Sequence, residues 1–414
     1  MDRIGFYRGE SDVSSGGVAP YADRLLRALQ HHRFGGMEVS VLGGKAFCSE
    51  ESTAGEASSR GDASEGGGFV WRKVRRNGLF RRALFHGADC LYHFMHPRGV
   101  GRRAPYRGWL SRFHCDLRYD LLHFPFQLPP RLTFRCPFIV TMHDVQELHF
   151  PEFFSPEDRA LRAELYWGSI SQANRVVVSF DHVKEDLLRY FRLPDERVVV
   201  LPVPYSECGF GESDDSLEAE VSRRFGEFGR YYLYPAQTWR HKNHLGLIEA
   251  FERVRSEYSG RLDLVCTGVK NEYYEEAIRN RVERSPVRDS IHFLGVVSPA
   301  ELKWLYRNSL SVVVPSLYEA GSFPLIEAMQ LQMPVLCAST TSLPSTIGDE
   351  RFVFDPRDAA QMGSMMLRMA VDDEYRQFGI KNSRERTEEL RQIKVGPIVE
   401  ELWRSTLEQS RTKS

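Results

Sequence analysis

Long apolar runs are missing from this 414-residue sequence, and no stretch approaches the ~18 consecutive apolar residues that a membrane-spanning helix needs. The opening Met1-Asp2-Arg3-Ile4-Gly5-Phe6-Tyr7-Arg8 also lacks the apolar core of a secretory leader, so the chain is expected to stay in the cytoplasm. Cysteine is sparse and dispersed. The seven residues (Cys48, Cys90, Cys115, Cys136, Cys208, Cys266 and Cys337) are odd in number and never form a C-x-x-C pair, which speaks against a disulfide framework and a zinc knuckle and fits a reducing compartment. No Asp-x-Asp occurs anywhere, so one paired-carboxylate handle for a divalent cation is absent. An excess of charge is lacking too: 55 basic against 56 acidic residues leave a formal net charge of −1, which argues against a general nucleic-acid binder.

What the sequence does have is material for folding. A hydrophobic fraction of 42% with 27% charged residues is that of a soluble globular protein, and the length exceeds what one core usually supports. Short β-rich runs alternate with helical patterns in two series. The first holds Arg3 to Tyr7, Glu38 to Leu42, Leu121 to Phe124, Phe138 to Met142, Arg175 to Phe180 and Arg197 to Pro202. The second holds Tyr231 to Tyr234, Leu262 to Cys266, Ile291 to Leu294, Leu310 to Val314, Pro334 to Cys337 and Phe352 to Phe354. That rhythm predicts βαβ units and parallel sheets, hence an α/β protein of two Rossmann-like domains. A Gly, Ser and acidic cluster over Glu207 to Ser216 marks the boundary, giving domains 1–206 and 207–390 followed by a C-terminal helical segment, 391–414. Residues 50–68, rich in Ser, Gly, Ala and Glu, are expected to form a mobile surface loop.

The most informative stretch is Tyr318-Glu319-Ala320-Gly321-Ser322-Phe323-Pro324-Leu325-Ile326-Glu327-Ala328-Met329. The apolar run before it reads as a buried parallel strand, and the run from Pro324 to Leu331 as an amphipathic helix. Glu319 then lies on the loop at a strand's carboxyl end, where open α/β sheets bind ligands, and Glu327 one turn inside the helix. The small residues Ala320, Gly321 and Ser322 let backbone N–H groups at the helix start approach an anion closely. Two glutamates at this spacing could equally be solvated surface residues, but the strand, glycine and proline around them favour a site.

This pattern, a Glu, seven residues and a second Glu, with Phe-Pro between and Glu-Ala-Met at the end, resembles the signature of the retaining GT-B glycosyltransferases, family 4 in particular. The resemblance implies the GT-B fold: two Rossmann-like domains facing each other across a cleft, with the last helix crossing back to the first domain. It implies transfer of a hexose from a nucleoside diphosphate sugar, GDP- or UDP-linked, to a glycan or lipid-linked acceptor with retention of configuration. No cofactor and no metal are expected, positive charge from side chains and helix N-termini standing in for a cation. Under it, Glu319 holds hydroxyls of the donor sugar and Glu327 the ribose. Lys242-Asn243, after the first strand of the second domain, matches a Lys-Asn pair that meets the diphosphate, with Arg240 nearby. The sequence has Ala-Gly-Ser-Phe-Pro where many relatives have Gly-Phe-Gly-Leu-Pro, which leaves the backbone donors around Gly321, Ser322 and Phe323 to be located.

In the first domain, Gly16-Gly17 follow the first strand and could bring backbone to a phosphate or sugar, or form only a turn. His143, in Thr141-Met142-His143-Asp144, ends a strand on the same side and contacts either the donor sugar or the acceptor. His123 and Ser179 fit core or turn roles as well as functional ones. The segment 71–112 mixes Arg and Lys with bulky apolar residues, as in Trp71-Arg72-Lys73-Val74-Arg75-Arg76, and reads either as a solvated helix face or as a peripheral contact with anionic headgroups at the inner membrane face. The Pro-Ala-Gln-Thr-Trp and His-Asp segments resemble mannosyltransferases of polysaccharide assembly, which favours GDP-mannose mildly. Two other readings remain: a glycosidase using both glutamates, which a loop and a helix on one wall do not suit, and a non-catalytic nucleotide-sugar-binding or scaffold protein.

Overall fold

The structure, a computed structural model, describes residues 1–8, 18–42, 118–129, 134–205 and 215–413. Gly16, Gly17, the Ser- and Gly-rich stretch 50–68 and the basic segment 71–112 lie outside the described residues, as does most of the expected domain junction.

The chain divides into two compact units. One holds Met1–Val145, Phe154–Pro204 and Lys394–Ser414; the other holds Gln146–Phe153 and Tyr205–Ile393. Each is built on a six-stranded parallel sheet. The first sheet contains β1 (Asp2–Tyr7), β2 (Met37–Leu42), β3 (Leu121–Phe124), β4 (Phe138–Thr141), β5 (Arg175–Val178) and β6 (Val198–Val200), in the order β2-β1-β3-β4-β5-β6. The second contains β7 (Arg230–Pro235), β8 (Leu262–Thr267), β9 (Ile291–Gly295), β10 (Ser311–Val314), β11 (Val335–Ala338) and β12 (Val353–Phe354), in the order β12-β11-β10-β7-β8-β9. All twelve strands coincide with the expected runs to within about two residues at each end.

Valine-rich sequences such as Val176-Val177-Val178 and Val312-Val313-Val314 form these strands because β-branched side chains suit a pleated surface buried on both faces; all six are fully buried. Register follows from burial. Ile4 lies between Val39 and Leu121, and Val312 between Leu233 and Val335. Helices start where the sequence supplies caps: Ser298 and Glu301 form a reciprocal capping box at Pro299–Asn308, and Ser155 caps Pro156–Gln172. Among the described residues no helix is long and apolar enough to cross a membrane.

The strand orders reverse beside β1 in the first unit and beside β7 in the second. From β7 the chain moves outward through β8 and β9, then returns to place β10 on the other side of β7. The loops after β7 and β10 therefore diverge and leave a crevice at their carboxyl ends. Close packing of the loop after β8 depends on Gly268. With φ of +119°, its N–H donates to the Gly295 carbonyl (2.8 Å), and a Cβ there would come within 2.7 Å of the Ala236 carbonyl.

The last helix, Val395–Lys413, belongs with the first unit. Trp403 is fully buried, stacks on Phe34 and donates its indole N–H to His123 Nδ1 (3.1 Å), while Glu400 meets His32 (2.7 Å). His123 is thus a core residue that anchors this helix.

Burial holds two imidazoles, His123 and His244, down to about 3. A free imidazole titrates near 6.5, so below that pH the unfolded chain takes up protons that the folded chain refuses. Stability contributed by these two groups is constant well above pH 6.5 and declines as pH falls through this window, by on the order of 4 kcal/mol at pH 5. Burial also lowers His143 and His241, so thermal unfolding from pH 7.5 to 5 is expected to show a larger decline in total, of which His123→Gln removes about a quarter. An unchanged slope in that variant would contradict the assignment.

Candidate functional site

The second unit brings Lys242 and Glu319 together at the crevice beside β7. Residues Arg240–Lys242 form one 3₁₀ turn after β7, and Asn243 follows with φ of +57°. Asn tolerates this left-handed backbone better than most residues, and its side chain uses the position well. Its amide donates to the Pro315 carbonyl (3.0 Å), just after β10, and to the Pro356 carbonyl (2.8 Å). The Leu317 N–H donates to the His241 carbonyl (2.7 Å). The loop after β7 is therefore laced to the loop after β10.

Across this seam Lys242 Nζ donates to Glu319 Oε1 at 2.6 Å, and the two side chains are only 16% and 7% exposed. The same oxygen accepts from Ser316 Oγ (2.7 Å). Behind Ser316 stands the buried hydroxyl of Tyr234, 3.1 Å from Ser316 Oγ and donating to the Lys242 carbonyl at 3.0 Å. Burial and the nearby Glu319 carboxylate push the Tyr234 hydroxyl well above its usual range, so it stays a neutral donor. One carboxylate oxygen is thereby saturated by an ammonium and a hydroxyl.

The backbone of Glu319 is fixed with equal care. Its N–H donates to Thr341 Oγ1 (3.2 Å), and Thr341 Oγ1 donates back to its carbonyl (2.6 Å). Thr341 holds φ of +49°, costly for a β-branched residue, and the two bonds to Glu319 account for its persistence.

The helix Phe323–Gln330 opens beside this loop. Ser322 is its cap, its hydroxyl accepting from the Leu325 N–H (3.4 Å). Glu327 is half-buried on this helix, and its Oε2 accepts from the buried Tyr306 hydroxyl (3.0 Å). Arg240 takes another direction. Its guanidinium lies over the Tyr273 ring (5.2 Å) and 3.6 Å from Glu276, and it lines a cavity of about 290 Å³ with Phe153, Asn243, Leu245, Tyr273 and Leu317.

His143 belongs to the first unit, just beyond the end of β4. Its ring packs edge-on against Tyr21 (4.9 Å) and its Nε2 lies 3.2 Å from the Pro125 carbonyl, which can only accept. Nε2 is therefore assigned the proton, and Nδ1 is the acceptor of a neutral ring. Burial lowers this imidazole to about 4 despite the Pro125 carbonyl, so it is uncharged at neutral pH. Among the described residues no three His, Cys, Asp or Glu side chains converge as a metal site would require.

Comparison with known proteins places this geometry in context. The family described as Glycosyl transferases group 1 matches residues 218–386, and Glycosyltransferase Family 4 matches residues 15–205. An O-antigen chain mannosyltransferase B of Escherichia coli is 29% identical over 289 residues, 69% of this chain and 72% of that protein. The O-antigen chain mannosyltransferase RfbU of Salmonella typhimurium is 23% identical over 53% of this chain and 57% of its own length. Among solved structures, Anabaena Alr3699/HepE in complex with UDP and glucose superposes with a TM-score of 0.64 at 13% identity, covering 98% of this chain and all of that one. WaaG, a glycosyltransferase involved in lipopolysaccharide biosynthesis, superposes at 0.60 with 14% identity, covering 96% and 99%. At such identities these two structures speak for the fold.

A buried pair broken on one side leaves an uncompensated charge, commonly at about 3–5 kcal/mol. Lys242→Met is therefore expected to lower stability by that order, and Lys242→Met combined with Glu319→Gln to recover much of the loss. Chemical denaturation of the four members of this cycle measures the coupling. Purely additive losses would show that the pair is not a unit.

Proposed function

We propose that this chain, which belongs to the GT-B glycosyltransferases of family 4, transfers a mannosyl group from a nucleoside diphosphate mannose, GDP-mannose by preference, to a glycan or lipid-linked acceptor. The reading rests on one observation above all: a largely buried Lys242–Glu319 pair in the loops that follow β7 and β10, the strands between which the order reverses. Names of relatives supply the sugar, since two matched proteins are O-antigen chain mannosyltransferases.

Breaking the bond from the anomeric carbon to the diphosphate leaves negative charge on the departing oxygen. Lys242 would meet that charge, and Glu319, with one oxygen already held by Lys242 and Ser316, would accept from sugar hydroxyls through its remaining lone pairs. Sugar and leaving group are then positioned by two arms of one ion pair. In a retaining, front-face course the acceptor oxygen bonds to the anomeric carbon on the face from which the diphosphate leaves, and its proton passes to a diphosphate oxygen. No side-chain nucleophile is needed, and positioning carries much of the rate. Side-chain and helix charge would make a metal unnecessary. A neutral His143 suits acceptance of a hydrogen bond from a sugar hydroxyl through Nδ1, and Arg240 extends the basic loop towards the aromatic cavity.

The test is a thermal-shift panel of GDP-, UDP-, ADP- and dTDP-sugars followed by transfer and donor-hydrolysis assays with and without EDTA. GDP-mannose at 100 times its Kd should stabilise the protein by about 2.7 kcal/mol. Turnover should survive EDTA and fall at least about 100-fold in Lys242→Ala, measured well below its lowered unfolding temperature. Binding without turnover would favour a non-catalytic sugar-nucleotide protein, and unimpaired transfer by Lys242→Ala would overturn the proposal.

A further inference from the structure

Tyr306 stands out among the polar groups that this mechanism leaves unused. It lies in the last turn of the helix Pro299–Asn308, is fully buried, and aims its hydroxyl at Glu327 Oε2 (3.0 Å), with the Pro324 carbonyl a distant second acceptor at 3.5 Å. We infer that Tyr306 is a positioning residue for donor recognition, holding the Glu327 carboxylate in the orientation in which it reads the ribose hydroxyls of the nucleoside diphosphate. The inference rests on the reading above in which Glu327 meets that ribose.

Geometry supports a rigid post rather than a casual contact. The Tyr306 carbonyl accepts from both the N–H (3.2 Å) and the hydroxyl (2.8 Å) of Ser309, so its backbone is clamped at the point where the helix gives way to β10. The helix is held at its other end by the Ser298 capping box and an ion pair between Glu301 and Arg224. The ring is embedded in the core of the second unit, which removes rotational freedom, and the two acceptors it faces both belong to the helix carrying Glu327.

Chemistry favours this partner as well. A glutamate has three side-chain torsions and, when half-buried on a helix, would sample several rotamers; fixing one oxygen selects among them before the ligand arrives. A tyrosine hydroxyl donating to a carboxylate is a charge-assisted bond, stronger than its neutral counterpart. Ribose recognition needs a carboxylate at a set position, because the 2′- and 3′-hydroxyls present two donors in fixed relation. A merely structural role for Tyr306 would stabilise the fold without affecting discrimination between ribose and deoxyribose.

Binding of GDP, 2′-deoxy-GDP and 3′-deoxy-GDP to the full chain, with the UDP series in parallel, separates the possibilities when measured by calorimetry on wild type, Tyr306→Phe and Glu327→Ala. Tyr306→Phe is expected to bind the better ribonucleotide roughly 10-fold more weakly and its deoxy analogues almost unchanged, so that discrimination collapses towards that of Glu327→Ala. The double variant should be no worse than Glu327→Ala. If Glu327→Ala loses discrimination while Tyr306→Phe keeps it, the positioning role is wrong and the ribose reading survives. If Glu327→Ala keeps discrimination, the ribose reading itself fails. A Tyr306→Phe protein that melts earlier yet discriminates as wild type has lost only a structural bond, which also overturns the proposal.

Discussion

A lysine and a glutamate held 2.6 Å apart under little solvent are the constraint on which the rest of this site depends. Removing two charges from water is expensive, and their attraction offsets the cost only when further hydrogen bonds complete the arrangement. Ser316 supplies one to the carboxylate, and Tyr234, packed behind Ser316, donates to the carbonyl of Lys242. Thr341 tolerates a strained backbone to fix Glu319 from both sides. A buried pair is weak evidence for stability. It is better evidence for preorganisation, because it keeps a cation and an acceptor adjacent, as the proposed transfer requires.

The fold makes this possible through its winding. Parallel β7 and β10 are neighbours in space but far apart in sequence, and the crossovers leaving them go opposite ways. Their carboxyl-end loops are nevertheless tied together by Asn243 and by the His241 carbonyl. Two helices, His244–Glu257 and Phe323–Gln330, begin after these loops, and their N-termini add partial positive charge on this side of the sheet.

The sequence was a good guide to some of this and silent on the rest, for physical reasons. Valine runs bounded by polar turns announced the strands because burial on both faces leaves no alternation to misread. Glu319, Glu327 and Lys242-Asn243 were singled out by their likeness to a family pattern and by their places after predicted strands, and the structure brings two of them, Lys242 and Glu319, together. Tyr234, Ser316 and Tyr306 were not: a tyrosine in an apolar strand or helix reads as core, and only coordinates reveal where its hydroxyl goes. Thr341 could not have been anticipated, since a β-branched residue is among the poorest choices for a left-handed backbone. The path of Arg240 hinges on Tyr273 and Glu276, more than thirty residues on, beyond any local pattern.

The central claim is that the Lys242–Glu319 pair is the resting form of a donor site, its two halves destined for diphosphate and sugar. A crystal structure of the protein with GDP-mannose tests it most directly. The account predicts Lys242 Nζ within about 3 Å of a diphosphate oxygen and Glu319 accepting from a mannose hydroxyl. A complex in which Lys242 bonds only to Glu319 while the diphosphate rests against other groups would contradict it.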